Sequence, residues 1–221
     1  PLVQTVVDLQ MSTLTLPIPA ALGAWDDSTF INQGSMVLGI GDVDSDEFDD
    51  VLVVGSQSQG STATLVFGAR EGDNQQVLAL NPPDASLVLP AFFGIGGTAL
   101  NDVNGDGIND YAVLGVQPAF AGSAIVLYFG CDQCDRAELA QPDALIYANG
   151  GRLFSVVSDA GNFNQRAADA SPMNDIFLGG TISAQANPNT AFVVAGRADW
   201  PQLPNLIIVD DDPAQSGDGV T

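Results

Sequence analysis

The sequence predicts an all-β fold made of propeller-type blades, each a sheet of four antiparallel strands. Three observations predict it. Short apolar runs alternate with turn formers along nearly the whole chain. One acidic stretch recurs 60 residues later with its strand still attached. Only "RAELAQPD" hints at a helical turn, and Pro142 ends it because proline has no N–H to continue the hydrogen bonding.

In chain order the runs are "TVVDLQ", "STLTLPI", "DVLVVGS", "TATLVFG", "SLVLP", "YAVLGV", "SAIVLYFG", "ALIYANG", "RLFSVVSD", "DIFLGGTI", "TAFVVAG" and "NLIIVDD". They are rich in β-branched and aromatic side chains, which suit a pleated, half-buried surface. The Gly, Pro, Asn, Asp and Ser between them supply turn conformations. A chain of this kind forms a sandwich, a barrel or a propeller, and repetition decides among these.

The repetition is visible when "GDVDSDEFDDVLVVG" (41–55) is laid over "NDVNGDGINDYAVLG" (101–115). Asp42, Val43, Asp46, Asp50, Val53 and Gly55 match Asp102, Val103, Asp106, Asp110, Val113 and Gly115. "STATLVFGAR" then follows in one unit and "GSAIVLYFGC" in the other. A weaker third copy reads "GNFNQRAADASPMNDIFLGGT" and then "NTAFVVAGRADW", with Asp175 in the place of Asp110. The units are therefore 35–90, 91–150 and a degenerate 151–209, within a single domain spanning 1–221. Residues 1–34 add strands of a partial blade, and 210–221 form an acidic C-terminal tail. Three units with about four strands each point to a small closed ring or a partial propeller arc, and an arc would leave sheet faces for a neighbour to cover.

The pattern D-x-[DN]-x-D-x-x-x-D, followed by an apolar strand and then "LVFG" or "LYFG", resembles the FG-GAP repeat of integrin α-subunit propellers and their bacterial relatives. The likeness covers residues 35–200. "FFGIGG" at 92–97 is the nearest counterpart to the first half of the signature. The resemblance implies that each acidic loop joins the first two strands of a blade and holds Ca²⁺.

The residues make a physical case of their own. Oxygen donors at alternate positions of a tight loop converge on one point, and a carbonyl at position 7 with a carboxylate at position 9 completes a shell of calcium size. The first loop offers Asp42, Asp44, Asp46, the Phe48 carbonyl and Asp50. The second offers Asp102, Asn104, Asp106, the Ile108 carbonyl and Asp110. All are hard oxygen ligands, which favours Ca²⁺ over nitrogen- or sulfur-preferring metals, while Mg²⁺ resists the dehydration such a cage demands. An EF-hand would need Glu at position 12 and flanking helices; here position 12 is Val53 or Val113. In the third unit Asp169, Ser171 and Asp175 are the candidate ligands, with Asn162 and Asn164 as alternatives, but ordinary turn hydrogen bonds are the preferred account of that loop.

Composition narrows the function. Twenty-seven acidic residues against five arginines give a net charge of −22, which repels nucleic acid and anionic membrane surfaces. With no histidine, neither a Ser-His-Asp or Cys-His site nor a His-ligated metal can form. No apolar run reaches the roughly 18 residues that span a bilayer. A start at Pro1 without a leader suggests a processed chain or an excised fragment. Cys131 and Cys134 form a lone C-x-x-C without a second ligand pair, so a small disulfide is preferred over free thiols and favours an oxidising compartment. Phe67, Phe129 and Phe192 are expected in the core between blades. Trp25 and Trp200 are expected as packed edges, with a carbohydrate platform as the alternative.

The leading expectation is a non-catalytic, extracellular, cell-surface or periplasmic module for adhesion, protein binding or assembly. A structural subunit of a surface layer, filament or large complex is the second reading, and an accessory propeller of a secreted hydrolase the third.

Overall fold

The computed structural model describes residues 36–57, 60–70, 76–80, 93–117, 122–132, 134–148, 152–163, 173–182, 189–201 and 207–209. The N-terminal strands, Trp25, "SLVLP", Asn164, Asp169, Ser171 and the C-terminal tail lie outside them. Among the described residues every regular element is a strand except one short 3-10 turn at Glu138–Ala140, within the stretch that hinted at helix.

The first sheet contains β1 (Met36–Gly41), β2 (Asp50–Gln57), β3 (Gly60–Val66) and β4 (Val77–Ala79), paired antiparallel in chain order. The second contains β5 (Phe93–Asn101), β6 (Asp110–Gln117), β7 (Gly122–Tyr128) and β8 (Ala144–Ala148), again antiparallel in chain order. The third contains β9 (Arg152–Gly161), β10 (Asp175–Ile182) and β11 (Asn189–Val194). A last strand, β12 (Ile207–Val209), runs parallel to β8 on the outer edge of the second sheet. "NLIIVDD" was expected within the third unit, yet its strand extends the second sheet, and the third sheet has three strands among the described residues.

The 60-residue period is built into the backbone. In each unit the first strand ends at a left-handed residue, namely Gly41 (φ 78°), Asn101 (φ 50°) or Gly161 (φ 60°). Each of these pairs with the aspartate that opens the next strand: Gly41 with Asp50, Asn101 with Asp110 and Gly161 with Asp175. The register shifts beside each pair, so a bulge turns the chain out of the sheet at the same point three times. The acidic loops therefore join the first and second strands of their sheets.

Strand alternation explains the stacking. In the middle sheet Tyr111, Val113, Ala124, Val126, Tyr128 and Leu145 face a core shared with Leu52, Val54, Leu65 and Phe67 of the first sheet. Their neighbours Ala112, Leu114, Ile125, Leu127 and Ile146 face the opposite way, into a core shared with Phe154, Ile176, Leu178 and Val194 of the third. A sheet buried on both faces loses the polar alternation of a half-exposed one, which is why "SAIVLYFG" reads as a continuous apolar run. Strand β5 touches both β1 and β9, so the first strands of the three sheets adjoin in sequence.

Of the aromatics, Phe67 is buried in the first core, and Phe129 and Phe192 pack against the second. Phe192 meets Phe154 edge-on rather than taking the place of Phe67 and Phe129; Ala195 stands there, directly before Gly196. Trp200 is a packed edge, 8% exposed, with its indole N–H donating to the Val103 carbonyl at 3.1 Å.

Candidate metal centre

The loops rest on a frame of buried aspartates. Asp50 is fully buried, its Oδ2 accepting from the Val43 N–H at 2.9 Å and its Oδ1 from the Gly68 N–H at 2.8 Å. Asp110 repeats this with the Val103 N–H at 2.8 Å and the Gly130 N–H at 2.9 Å. In the third unit Asp175 accepts from the Gly196 N–H at 3.0 Å. The position-9 aspartate, expected as a ligand, is thus also a brace between the loop and the end of the third strand. Glycine is required after that strand because the backbones come too close for a side chain. A Cβ at Gly68 would lie 2.6 Å from the Asp49 carbonyl, and one at Gly130 or Gly196 would collide with the Asn109 or Asn174 carbonyl.

Burial sets the charge of these groups. It pushes Asp50 up to about 6 and Asp110 up to about 8, against the opposing pull of the two N–H donors each receives. Asp44 is also raised by burial, with Arg136 pulling the other way.

Within the first loop, Asp42 accepts from the Asp46 and Glu47 N–H groups at 3.1 and 2.9 Å. Asp46 accepts from the Phe48 N–H at 3.0 Å. One carboxylate oxygen from each of Asp42, Asp44 and Asp50 lies within 4.8 Å of the other two, so three of the expected ligands converge. Positions 4 and 6 are left-handed in both loops. The second loop meets this with Gly105 and Gly107, and the first with Ser45 (φ 59°) and Glu47 (φ 76°). Each side chain held there costs about 1–2 kcal/mol.

Within the second loop, Asp102 accepts from the Gly105 and Gly107 N–H groups at 2.6 and 3.0 Å, and Asp106 from the Ile108 N–H at 2.8 Å. Asn104 accepts from the Asp106 N–H at 2.9 Å and donates to Asp106 Oδ2 at 3.0 Å. Among the described residues no three carboxylates gather here as they do in the first loop. In the third unit Asn162 is exposed and Asp175 is buried in its brace.

Successive units lock through these loops. The Cys131 N–H donates to the Val43 carbonyl at 3.0 Å, and the Arg197 N–H to the Val103 carbonyl at 2.9 Å. Asn109 Nδ2 donates to the Asp42 carbonyl at 3.3 Å, and the Asn174 N–H to the Asp102 carbonyl at 2.7 Å. Cys131 and Cys134 are joined as a disulfide, as expected, with Cα atoms 5.8 Å apart.

Sequence reasoning missed one residue of the site. Arg136, just past the disulfide, reaches back to the first loop. Its Nε lies 2.5 Å from Asp44 Oδ2 and its Nη2 lies 2.8 Å from Asp46 Oδ2. The guanidinium also sits over the Phe67 ring, 4.3 Å from its centroid. Beside the second loop, Asn104, Gly105, Asp106, Phe129, Asp143, Ala198 and Trp200 line an open cleft of about 350 Å³. No protein-family model matches the chain and no curated protein matches its sequence, so the likeness to FG-GAP repeats rests on the motif residues alone.

Proposed function

We propose that this chain is a non-catalytic, calcium-binding β-propeller-type module of the extracellular space, the cell surface or the periplasm, presenting its loops and sheet faces for adhesion, protein binding or assembly. The observation that carries the calcium reading is the convergence of Asp42, Asp44 and Asp50 at one end of a sheet. Hard oxygens in a tight, partly buried loop suit Ca²⁺, whose flexible coordination tolerates carboxylate and carbonyl mixtures. The lack of any histidine supports a binding role over a hydrolytic one. No described helix is long and apolar enough to cross a membrane.

Assembly is supported by a face of the third sheet that no further sheet covers among the described residues. Val43 and Val103 are each 0% exposed, covered by the following unit, whereas Phe163 at the same place in the third unit is 69% exposed. Leu52 and Ala112 are 0% exposed, whereas their third counterpart, Phe177, is 38% exposed. The partner that fits such a face is another sheet of this repeat, supplied by a second copy of the chain. One experiment addresses both parts: melting and sedimentation of the protein with calcium and with chelator. At 100 times the dissociation constant, calcium adds about 2.7 kcal/mol, or roughly 5–10 °C in melting temperature. A melting temperature indifferent to chelator refutes the calcium reading, and a monomer at high micromolar concentration in both conditions refutes assembly through a second copy.

A further inference from the structure

The two loops align without a gap and share Asp at positions 1, 5 and 9, and their hydrogen bonds can be matched at those positions. At position 1 both oxygens of Asp42 and both of Asp102 accept backbone N–H groups. At position 5 the inner oxygen of Asp46 or Asp106 accepts the N–H two residues on. At position 9 both oxygens of each aspartate are held by the brace.

The outer oxygen of position 5 accepts from a different donor in each loop. In the second loop the Asn104 amide donates to Asp106 Oδ2 at 3.0 Å. In the first loop position 3 is Asp44, which has no N–H to give, and Arg136 supplies the donor to Asp46 Oδ2 at 2.8 Å. The same guanidinium holds Asp44 Oδ2 at 2.5 Å.

One oxygen is left over. Asn104 Oδ1 accepts the Asp106 N–H, but Asp44 Oδ1 is buried with no hydrogen-bond partner, on a side chain only 6% exposed. A carboxylate oxygen removed from water without a partner is costly, and a coordinated cation is one group that satisfies it. The orphan belongs to the residue that clusters with Asp42 and Asp50.

We propose that the loops are alike in sequence and different in use: the loop 42–50 binds one divalent cation at Asp44 Oδ1 with Asp42 and Asp50, Arg136 is its resident counter-cation, and the loop 102–110 is complete without metal. This rests on the calcium reading above and adds the asymmetry and the role of Arg136. Arg136 never deprotonates, so its charge is permanent. It offsets the repulsion among Asp42, Asp44 and Asp46 when no metal is bound, and keeps that loop closed. The same charge repels an incoming divalent ion. A +1 and a +2 charge about 6 Å apart, screened as in water, weaken binding by on the order of tenfold.

The test is calorimetric titration of the chelator-treated full chain with calcium chloride, paired with melting curves. One site is expected. Asp44→Asn, which gives the first loop the chemistry of the second, should weaken it at least tenfold. Arg136→Gln should tighten calcium binding about tenfold and enlarge the rise in melting temperature on adding calcium. An arginine that merely braces the fold would lower stability equally with and without the ion. Two sites of equal affinity, or a site that survives Asp44→Asn, overturns the asymmetry. Unchanged or weaker binding in Arg136→Gln overturns the counter-cation role. If that variant is unfolded without calcium, folding upon calcium addition upholds the role and failure to fold at saturating calcium overturns it. Absence of any binding by the parent protein refutes the calcium reading itself, a result distinct from all of these.

Discussion

Replacing Gly130 by alanine puts one methyl group where three parts of the molecule meet. The new Cβ would collide with the Asn109 carbonyl, lie 2.5 Å from Ile108 Cγ2 and 3.0 Å from the Val43 carbonyl. Two of these neighbours are backbone and cannot rotate away, so the chain at 130 must move. That movement strains the Gly130 N–H bond to Asp110 and the Cys131 N–H bond to Val43, the latter linking the second unit to the first. Overpacking costs about 1–3 kcal/mol, and each of the two weakened bonds adds about 1 kcal/mol, for a total of about 3–5 kcal/mol. For a chain of this size that lowers the melting temperature by roughly 10 °C. Thermal melts followed by far-ultraviolet circular dichroism, with Gly39→Ala as control, measure it. Gly39 lies in β1 with nothing within 4 Å of its Cβ position, so that variant should melt near the parent. If Gly130→Ala melts within about 2 °C of Gly39→Ala, the close approach of the loop to the third strand is wrong.

Asp143 gives a pH signature independent of the loop aspartates. Burial pushes it up to about 6 from 3.8, opposed by the Phe129 N–H it accepts. A carboxyl raised in the folded state contributes most below pH 3.8 and loses that contribution as pH climbs through about 6. Asp143→Asn should therefore be more stable than the parent at pH 7 by about 1–3 kcal/mol and equal to it near pH 4, by urea unfolding in chelator; a pH-independent difference refutes this. The disulfide closes a loop of only four residues from Cys131 to Cys134, which in the chain-entropy account stabilises by about 2 kcal/mol. The double Cys→Ser variant should melt roughly 5 °C lower, and an unchanged melting point would show that the docked loop needs no staple.

The strands legible in the sequence were those dense in β-branched and aromatic residues, such as "DVLVVGS" and "SAIVLYFG". Three were missed, namely β1, β4 and β5. Their segments are "MVLGIG", "VLA" and "FGIGGTALN", either too short or too diluted by glycine to carry an alternation signal. The loop spacing was legible as a ligand pattern because ligands and braces both want aspartate. The spacing cannot say that the ninth-position carboxylate also receives two N–H groups, as Asp50 and Asp110 do. Arg136 was out of reach because it stands 92 residues from Asp44 and 90 from Asp46, and no local rule links them. In the third unit Phe192 is a poor guide to register, because the anchor shared with Gly68 and Gly130 is the glycine at 196, which follows an alanine and not a phenylalanine.

Frame and ligand chemistry are therefore separable in this repeat. The frame is a left-handed residue ending one strand, an aspartate opening the next and a glycine behind the third, and it is present in all three units at residues 41, 50 and 68, then 101, 110 and 130, then 161, 175 and 196. Because the frame satisfies its own polar groups, the residues between its posts are free to vary. The third unit exploits this with a longer loop between Gly161 and Asp175. The first exploits it by trading the self-contained Asn104 arrangement for Asp44 and accepting two strained side chains at Ser45 and Glu47. That trade adds charge the loop cannot settle alone, and the counter-charge comes from the next unit, delivered by a segment already docked through the Cys131 N–H to the Val43 carbonyl. A loop that depends on its neighbour for charge balance couples cation binding to the packing of one unit on the next. Because the guanidinium and a bound cation would oppose one another at the same carboxylates, the coupling is antagonistic: an ion in the first loop would loosen the Arg136 tie to the second unit and leave the contact between the second and third sheets unchanged.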